Sequence, residues 1–369
     1  LTAAVVTVGP HDFARHSWGT GAFSLDLVGW SDMISKQPRS DRRPSLLGQL
    51  PGRRAVRLVL DSVPLADAAE AHYRGRVPWF RDRATRPDLA DPYWTPMRQT
   101  VALDRTDVPV LLIGGWQDLF IEQTIEQYAR LAERGVPVAL TVGAWTHVDT
   151  IGRGGTICTR ESLDWLAGRE RKAPVHLYVT GANEWRHLAS WPPPTEPRPF
   201  PLRAGSFTFD PADPTPTVGG PLLDGGGYVN DGRLAARPDV LTTTGDVLTD
   251  DVEIAGAPVA ELVHRTDNPH ADLFVRLSDV DARGRSRNIT EGYVRLDPAR
   301  DGSPVRLPLL PTAHRFRAGH RIRVLVAGGS HPRYGRNLGT AENPGTGATM
   351  APARHTVEPG SRLVLPVAE

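Results

Sequence analysis

An α/β unit carrying a helical insertion, followed by an all-β sandwich, is the fold this 369-residue sequence predicts. Three observations carry that expectation. Three short apolar, β-branched runs each end in glycine, the pattern of parallel strands buried on both faces. Between the second and third of them lies a segment with helical periodicity, so they read as strand, helix, strand. Beyond Pro174 the text turns rich in Pro and Gly with many short runs, the pattern of an antiparallel sandwich. The composition, 40% hydrophobic and 23% charged, supplies apolar residues for more than one core.

The elements follow in chain order. Ala3 to Gly9 is the first strand, closed by Gly9-Pro10. Residues 31–105 are dense in Arg, Asp and Pro, with apolar residues in short helical groups such as Leu65 to Tyr73 and Trp79-Phe80. A span of that length between two strands predicts a helical cap inserted for function rather than a connector. Val108 to Gly115 and Pro137 to Gly143 are the second and third strands. Between them Ile121, Ile125, Tyr128 and Leu131 mark a helix over Ile121 to Glu133, stopped by Gly135. A further helix is expected near Arg160 to Ala167. The α/β domain therefore comprises residues 1–30 and 106–172, the cap 31–105, and a jelly-roll sandwich 173–369. Its expected strands include Val175 to Val179, Phe207 to Phe209, Leu273 to Leu277, Ile322 to Val326 and Leu363 to Val367.

Composition also excludes several classes. A formal net charge of +1 provides no field for nucleic acid or anionic lipid, and no run approaches the roughly 18 apolar residues of a membrane helix. Cys158 is the single cysteine, which rules out an intrachain disulfide and a cysteine-based metal site. No secretory signal opens the chain, so a cytoplasmic location is expected. The first residue is Leu1 rather than Met, which fits a processed chain or part of a longer one.

Chemistry in open α/β sheets gathers at the carboxyl ends of strands. One such end reads Gly114-Gly115-Trp116-Gln117-Asp118-Leu119-Phe120, the other Gly143-Ala144-Trp145-Thr146-His147. Adjacent parallel strands would bring Asp118 and His147 to one rim, where a carboxylate can hold an imidazole in the tautomer of a general base. Acid before histidine matches the second half of the order Ser, Asp/Glu, His in α/β-hydrolase triads. On spacing alone, a helix cap or a solvated loop explains either residue equally well. His11, Asp12 and His16 after the first strand read as pocket wall or solvated loop rather than as metal ligands. Trp116 and Trp145 read as core.

These two motifs resemble the acid and histidine motifs of the CocE/NonD family, which comprises cocaine-esterase-like acyl esterases related to α-amino-acid ester hydrolases, glutaryl acylases and Xaa-Pro dipeptidyl-peptidases. The resemblance runs along the chain through Gly19-Thr-Gly-Ala-Phe23, Asp91-Pro-Tyr-Trp94, Gly319-His-Arg-Ile322 and Arg333-Tyr-Gly-Arg-Asn337. It implies catalytic roles for Asp118 and His147, no cofactor, a small ester or short peptide or amide as substrate, and a pocket walled by Trp18, Trp30 and Phe120.

One family feature is missing. No Gly-x-Ser-x-Gly pentapeptide, the strained elbow that presents the nucleophile, occurs in these 369 residues. Ser17, Ser24 and Ser330 lie near strand ends or histidines but on no elbow. The resemblance implies that the serine and the oxyanion hole lie upstream, and that this chain holds the last three strands of the sheet with an open edge beside the first. The expectation is a serine hydrolase completed by an N-terminal polypeptide. The alternative is an inactive remnant or partner subunit whose sandwich binds or assembles. Association into homo-oligomers fits the family.

Overall fold

The computed structural model describes residues 1–37 and 53–369. Part of the expected cap, residues 38–52, lies outside the described residues. The first sheet contains β1 (Ala4–Thr7), β2 (Val110–Gln117), β3 (Val138–Thr146), β4 (Val175–Val179) and β5 (Glu184–Leu188), in that spatial order. The first four are parallel, with Val5 opposite Leu111, Leu112 opposite Leu140 and Leu140 opposite Val175; β5 returns antiparallel along β4.

Here the structure corrects the expectation. Val175 to Val179, assigned from sequence to the sandwich, extends the first sheet, which therefore holds five strands in this chain rather than three. The cause is visible in β4: Val175, Leu177 and Val179 point into the same core as β2 and β3. Pro and Gly around this strand imitate sandwich composition, while its edge pairing depends on β3, which no local pattern reveals.

The uninterrupted apolar runs of β2 and β3 follow from burial on both faces. On one face Leu112, Leu140, Val142 and Leu177 meet Ile121, Tyr128 and Leu131 of the helix between β2 and β3 (Ile121–Glu133). On the other, Leu111, Ile113, Ala139 and Trp145 meet Cys158 of a helix over Gly155–Leu166. Burial among these groups pushes the Cys158 thiol up to about 11, so it stays protonated.

The cap is helical as expected, in short pieces over Asp26–Ser35, Arg53–Asp61, Leu65–Tyr73, Phe80–Thr85 and Thr100–Arg105. Its core of Val28, Tyr73, Phe80 and Trp94 also takes in Trp18 and Phe23, so its packing starts before residue 31. The Ala66 amide donates to Gly345 O at 2.9 Å, and Asn343 Nδ2 donates to Thr85 O at 2.7 Å, so sandwich loops hold the cap down.

The remaining strands are β6 (Thr195–Pro201), β7 (Gly205–Phe209), β8 (Val240–Thr244), β9 (Val252–Gly256), β10 (Val259–Leu262), β11 (His264–Thr266), β12 (Asp272–Val280), β13 (Ser286–Arg295), β14 (Val305–Pro308), β15 (Thr312–Phe316), β16 (Arg321–Ala327), β17 (Ala353–Val357) and β18 (Arg362–Ala368). They pair antiparallel into a sandwich whose layers include β13-β12-β16-β8 and β14-β10-β18-β9-β15. Leu273, Val275 and Leu277 of β12 and Leu363 and Leu365 of β18 meet in one core. Strand β6 carries Pro197, Pro199 and Pro201 and, among the described residues, pairs with β18 alone. Prolines at every second residue leave the intervening amides free for one neighbour, which suits an edge. The two units are joined at the site rim, where Gln117 Nε2 donates to Ile289 O at 2.8 Å.

Candidate active site

The β2 and β3 ends lie side by side, with Gln117 opposite Thr146, so the next residues, Asp118 and His147, emerge together. The glycines of both motifs are required by close approach. A Cβ on Gly115 would lie 2.3 Å from Trp145 O, and one on Gly143 would lie 2.4 Å from the Trp145 indole. Trp145 fills the space these glycines leave and fixes the segment that ends in His147. It is 7% exposed and Trp116 1%, so both are core.

His147 Nδ1 and Asp118 Oδ1 are 2.7 Å apart. Asp118 is fully buried, and its second oxygen accepts the Phe120 amide at 3.0 Å. A carboxylate held this way keeps the Nδ1 proton on His147 and leaves Nε2 with its lone pair outward. The His147 side chain is 25% exposed, and no side chain among the described residues bonds its Nε2. The turn carrying it is braced by Asp149, which accepts the Thr146 amide at 3.0 Å and the Thr146 hydroxyl at 2.8 Å. Hydrogen bonds from Arg153 hold the Asp149 carboxyl down at about 2, so the brace stays ionised.

Of the three aromatic residues expected at the pocket, the structure brings Phe120 to His147, with ring centroids 5.5 Å apart at 81°. Trp18 lies in the cap core, 1% exposed, its Nε1 donating to Arg83 O at 2.8 Å. Trp30 is half-buried against Trp79, ring to ring at 5.5 Å.

The alternative serines are engaged elsewhere. Ser17 Oγ donates to Phe13 O at 2.8 Å, Ser24 Oγ to Asp26 Oδ1 at 2.6 Å, and Ser330 Oγ lies 3.0 Å from Thr217 Oγ1. His11, Asp12 and His16 also part company. Gln123 Oε1 receives the amides of His11 and Asp12 at 2.9 and 2.8 Å, and Asp12 caps the helix Phe13–Trp18 through the Arg15 amide. His16 Nε2 sits 2.9 Å from Asp26 Oδ2.

The sequence allowed His16 as pocket wall, but its pairing with Asp26 was not legible there. Both side chains are under 10% exposed, and the His16 ring packs on Phe120 with centroids 4.8 Å apart. Burial pushes the Asp26 carboxyl up, but His16, Ser24 and Arg333 together outweigh it and hold it below the usual range. Phe120 is thus gripped between two histidine–aspartate pairs. An aromatic contact of this kind contributes about 1 kcal/mol. In His16→Ala, exchange of the His147 Nδ1 proton with water, followed by its low-field NMR resonance, is expected to quicken several-fold. An unchanged exchange rate would show that Phe120 needs no support from His16.

The X-Pro dipeptidyl-peptidase C-terminal non-catalytic domain matches residues 167–367, more than half of the chain, and the X-Pro dipeptidyl-peptidase (S15 family) domain matches residues 1–149, which include Asp118 and His147. The cocaine esterase of Rhodococcus sp. (strain MB1 Bresler) is 28% identical over 409 aligned residues, covering 92% of this chain and 71% of the esterase. Among solved structures, an aminopeptidase from a marine-sediment Thaumarchaeota archaeon has a TM-score of 0.81 at 21% identity, covering 100% of this chain and 73% of its own. An α-amino acid ester hydrolase has a TM-score of 0.80 at 21% identity with the same coverage. A CocE/NonD family hydrolase from Staphylococcus aureus has a TM-score of 0.64 at 14% identity. No helix among the described residues is long and apolar enough to cross a membrane. With both of its parts matched by family domains, the chain belongs to the CocE/NonD family of hydrolases, relatives of esterases and X-Pro peptidases.

Proposed function

We propose that Asp118 and His147 are the acid and base of a Ser-His-Asp centre that hydrolyses a small ester or a short peptide or amide, with the serine and the oxyanion donors supplied by polypeptide outside these 369 residues. The observation that carries this reading is the 2.7 Å bond between a fully buried carboxylate and a histidine whose Nε2 is free. His147 takes the proton from the serine as the hydroxyl attacks the carbonyl and returns it to the leaving group. Water, activated by the same nitrogen, then releases the acyl group. Phe120 offers an apolar face beside the reacting carbonyl.

The unpaired side of β1 supports a complementing strand. Among the described residues β1 pairs only with β2. Beside it the helix Gly155–Leu166 exposes Leu163 and Leu166, and Ile151 is 85% exposed. A cavity of about 1070 Å³ lined by Thr7, Ile151 and Leu163 runs along this side. An apolar edge of this kind is a template for β-addition.

Hydrolysis of p-nitrophenyl acetate tests the reading. The 369-residue chain alone is expected to be inactive. The chain joined to an upstream polypeptide that bears a Gly-x-Ser-x-Gly elbow is expected to be active, and to lose activity in His147→Ala. Full activity in His147→Ala would overturn the assignment, and failure of the joined form would favour the non-catalytic alternative.

A further inference from the structure

A second cavity, of about 530 Å³, opens between the first sheet and the sandwich, and its lining includes neither Asp118 nor His147. Thr180 and Gly181, from the turn after β4, form one side, and the β12–β13 turn and the residues around β15 form the other. Gly181 has φ +79°, and a Cβ there would lie 2.0 Å from Arg315 O, so this turn sits hard against the sandwich.

The charges around the cavity do not cancel. Three arginines face two aspartates, which leaves +1 with both lining histidines neutral. The aspartates are already engaged. Asp281 Oδ2 accepts Arg285 Nε at 2.7 Å, and Asp279 lies 2.9 Å from His320 Nδ1 and 3.3 Å from His314 Nε2. Arg287 and Arg317 have no carboxylate within ion-pair distance among the described residues.

Both free guanidiniums are nevertheless held in position. Arg287 Cζ stands 4.9 Å over the Tyr228 ring, and Arg317 Nε donates to Gly181 O at 2.9 Å. Each keeps terminal N–H groups unused. An oriented guanidinium with spare parallel donors matches the two oxygens of a carboxylate or phosphate and loses little freedom on binding. Tyr228 adds an apolar wall.

We propose that this cavity is a binding site for a small oxyanion, a carboxylate or a phosphate, held by Arg287 and Arg317 with any organic remainder against Tyr228. It stands apart from the acyl-transfer reading and is testable on the chain as it is.

Titration calorimetry at constant ionic strength with benzoate, and separately with inorganic phosphate, tests it. At least one probe is expected to bind saturably with one site per chain, and the tighter of the two identifies the ligand class. The Arg287→Gln/Arg317→Gln double variant is expected to bind about tenfold more weakly or worse, as loss of charged hydrogen bonds requires. A control double variant, Arg203→Gln/Arg233→Gln, removes two exposed charges elsewhere on the sandwich and is expected to bind as the parent does. Because Arg287 and Arg317 are exposed and form no ion pair, the double variant should melt with the parent; if it melts early, the two single variants give the same reading. No saturable binding of either probe, or equal affinity in the double variant, would overturn the site.

Discussion

Asp118→Asn is expected to lower the hydrolysis rate of the serine-complete enzyme by about 10⁴-fold with little change in fold. The physical reason is the tautomer. As a carboxylate, Asp118 Oδ1 can only accept at 2.7 Å, so His147 must donate from Nδ1 and present Nε2 as a base. An asparagine amide can instead donate to Nδ1, which leaves the proton on Nε2, where it cannot receive one from serine. Oδ1 and Oδ2 have different partners, His147 and the Phe120 amide. The asparagine can satisfy that amide with its oxygen only by turning its NH₂ toward the histidine, so the wrong tautomer is the favoured one. Pre-steady-state kinetics should place the loss in acylation, and a rate within tenfold of the parent would contradict the role.

The largest effect on stability is expected from two other histidines. His264 and His355, on neighbouring strands β11 and β17, are 0% exposed and share one hydrogen bond, Nε2 to Nδ1 at 3.1 Å. His264 Nδ1 and His355 Nε2 have no hydrogen-bond partner among the described residues. Burial, with the neighbouring His355 and Arg300 adding to it, lowers His264 to about 3, and burial lowers His355 to about 4. The unfolded imidazoles protonate near 6.5, so between that value and the folded values the unfolded chain binds more protons than the folded one. Stability is therefore complete above about pH 7 and falls as the pH descends through this window. For two groups the loss between pH 7.5 and pH 5 is about 4 kcal/mol. Urea unfolding across this range should show the slope, and His264→Leu/His355→Phe should flatten it whatever its own stability. His331, lowered to about 4 by burial and by Arg336, leaves a residual slope in that variant. Parallel slopes in parent and variant would contradict the assignment.

Features decided by local pattern were legible in the sequence. The helices Leu65–Tyr73 and Ile121–Glu133 have the bounds their apolar spacing implies, and β2 and β3 end at the glycine-bearing motifs that place Asp118 and His147. Features decided by distant partners were not. Strand β4 belongs to the first sheet because β3 offers an edge, and β6 is a strand despite its prolines because β18 needs only one side of it. The helix before the sandwich starts at Gly155 rather than near Arg160, with Gly154 as its N-cap lying close against the Trp145 ring, where a Cβ would clash at 2.5 Å. In the site, Gln123 was not picked out from the sequence, yet it is 5% exposed and fixes the loop after β1. Its partner Gln127, one helical turn on, donates to Gly9 O at 2.7 Å. Two amides four residues apart on the apolar face of one helix are the signal that would have found them. His16 and Asp26 carry no such signal, because they lie on two different helices joined by the irregular residues 19–25.

On the proposed reading, Asp118 and His147 serve a serine carried outside these 369 residues. The most direct test labels the protein from its native source with a fluorophosphonate and maps the modified peptide by mass spectrometry. The expected result is one labelled serine in a Gly-x-Ser-x-Gly sequence on polypeptide joined to or copurifying with this chain, with labelling lost in His147→Ala. A label on a serine within these residues, or labelling that survives His147→Ala, would contradict it.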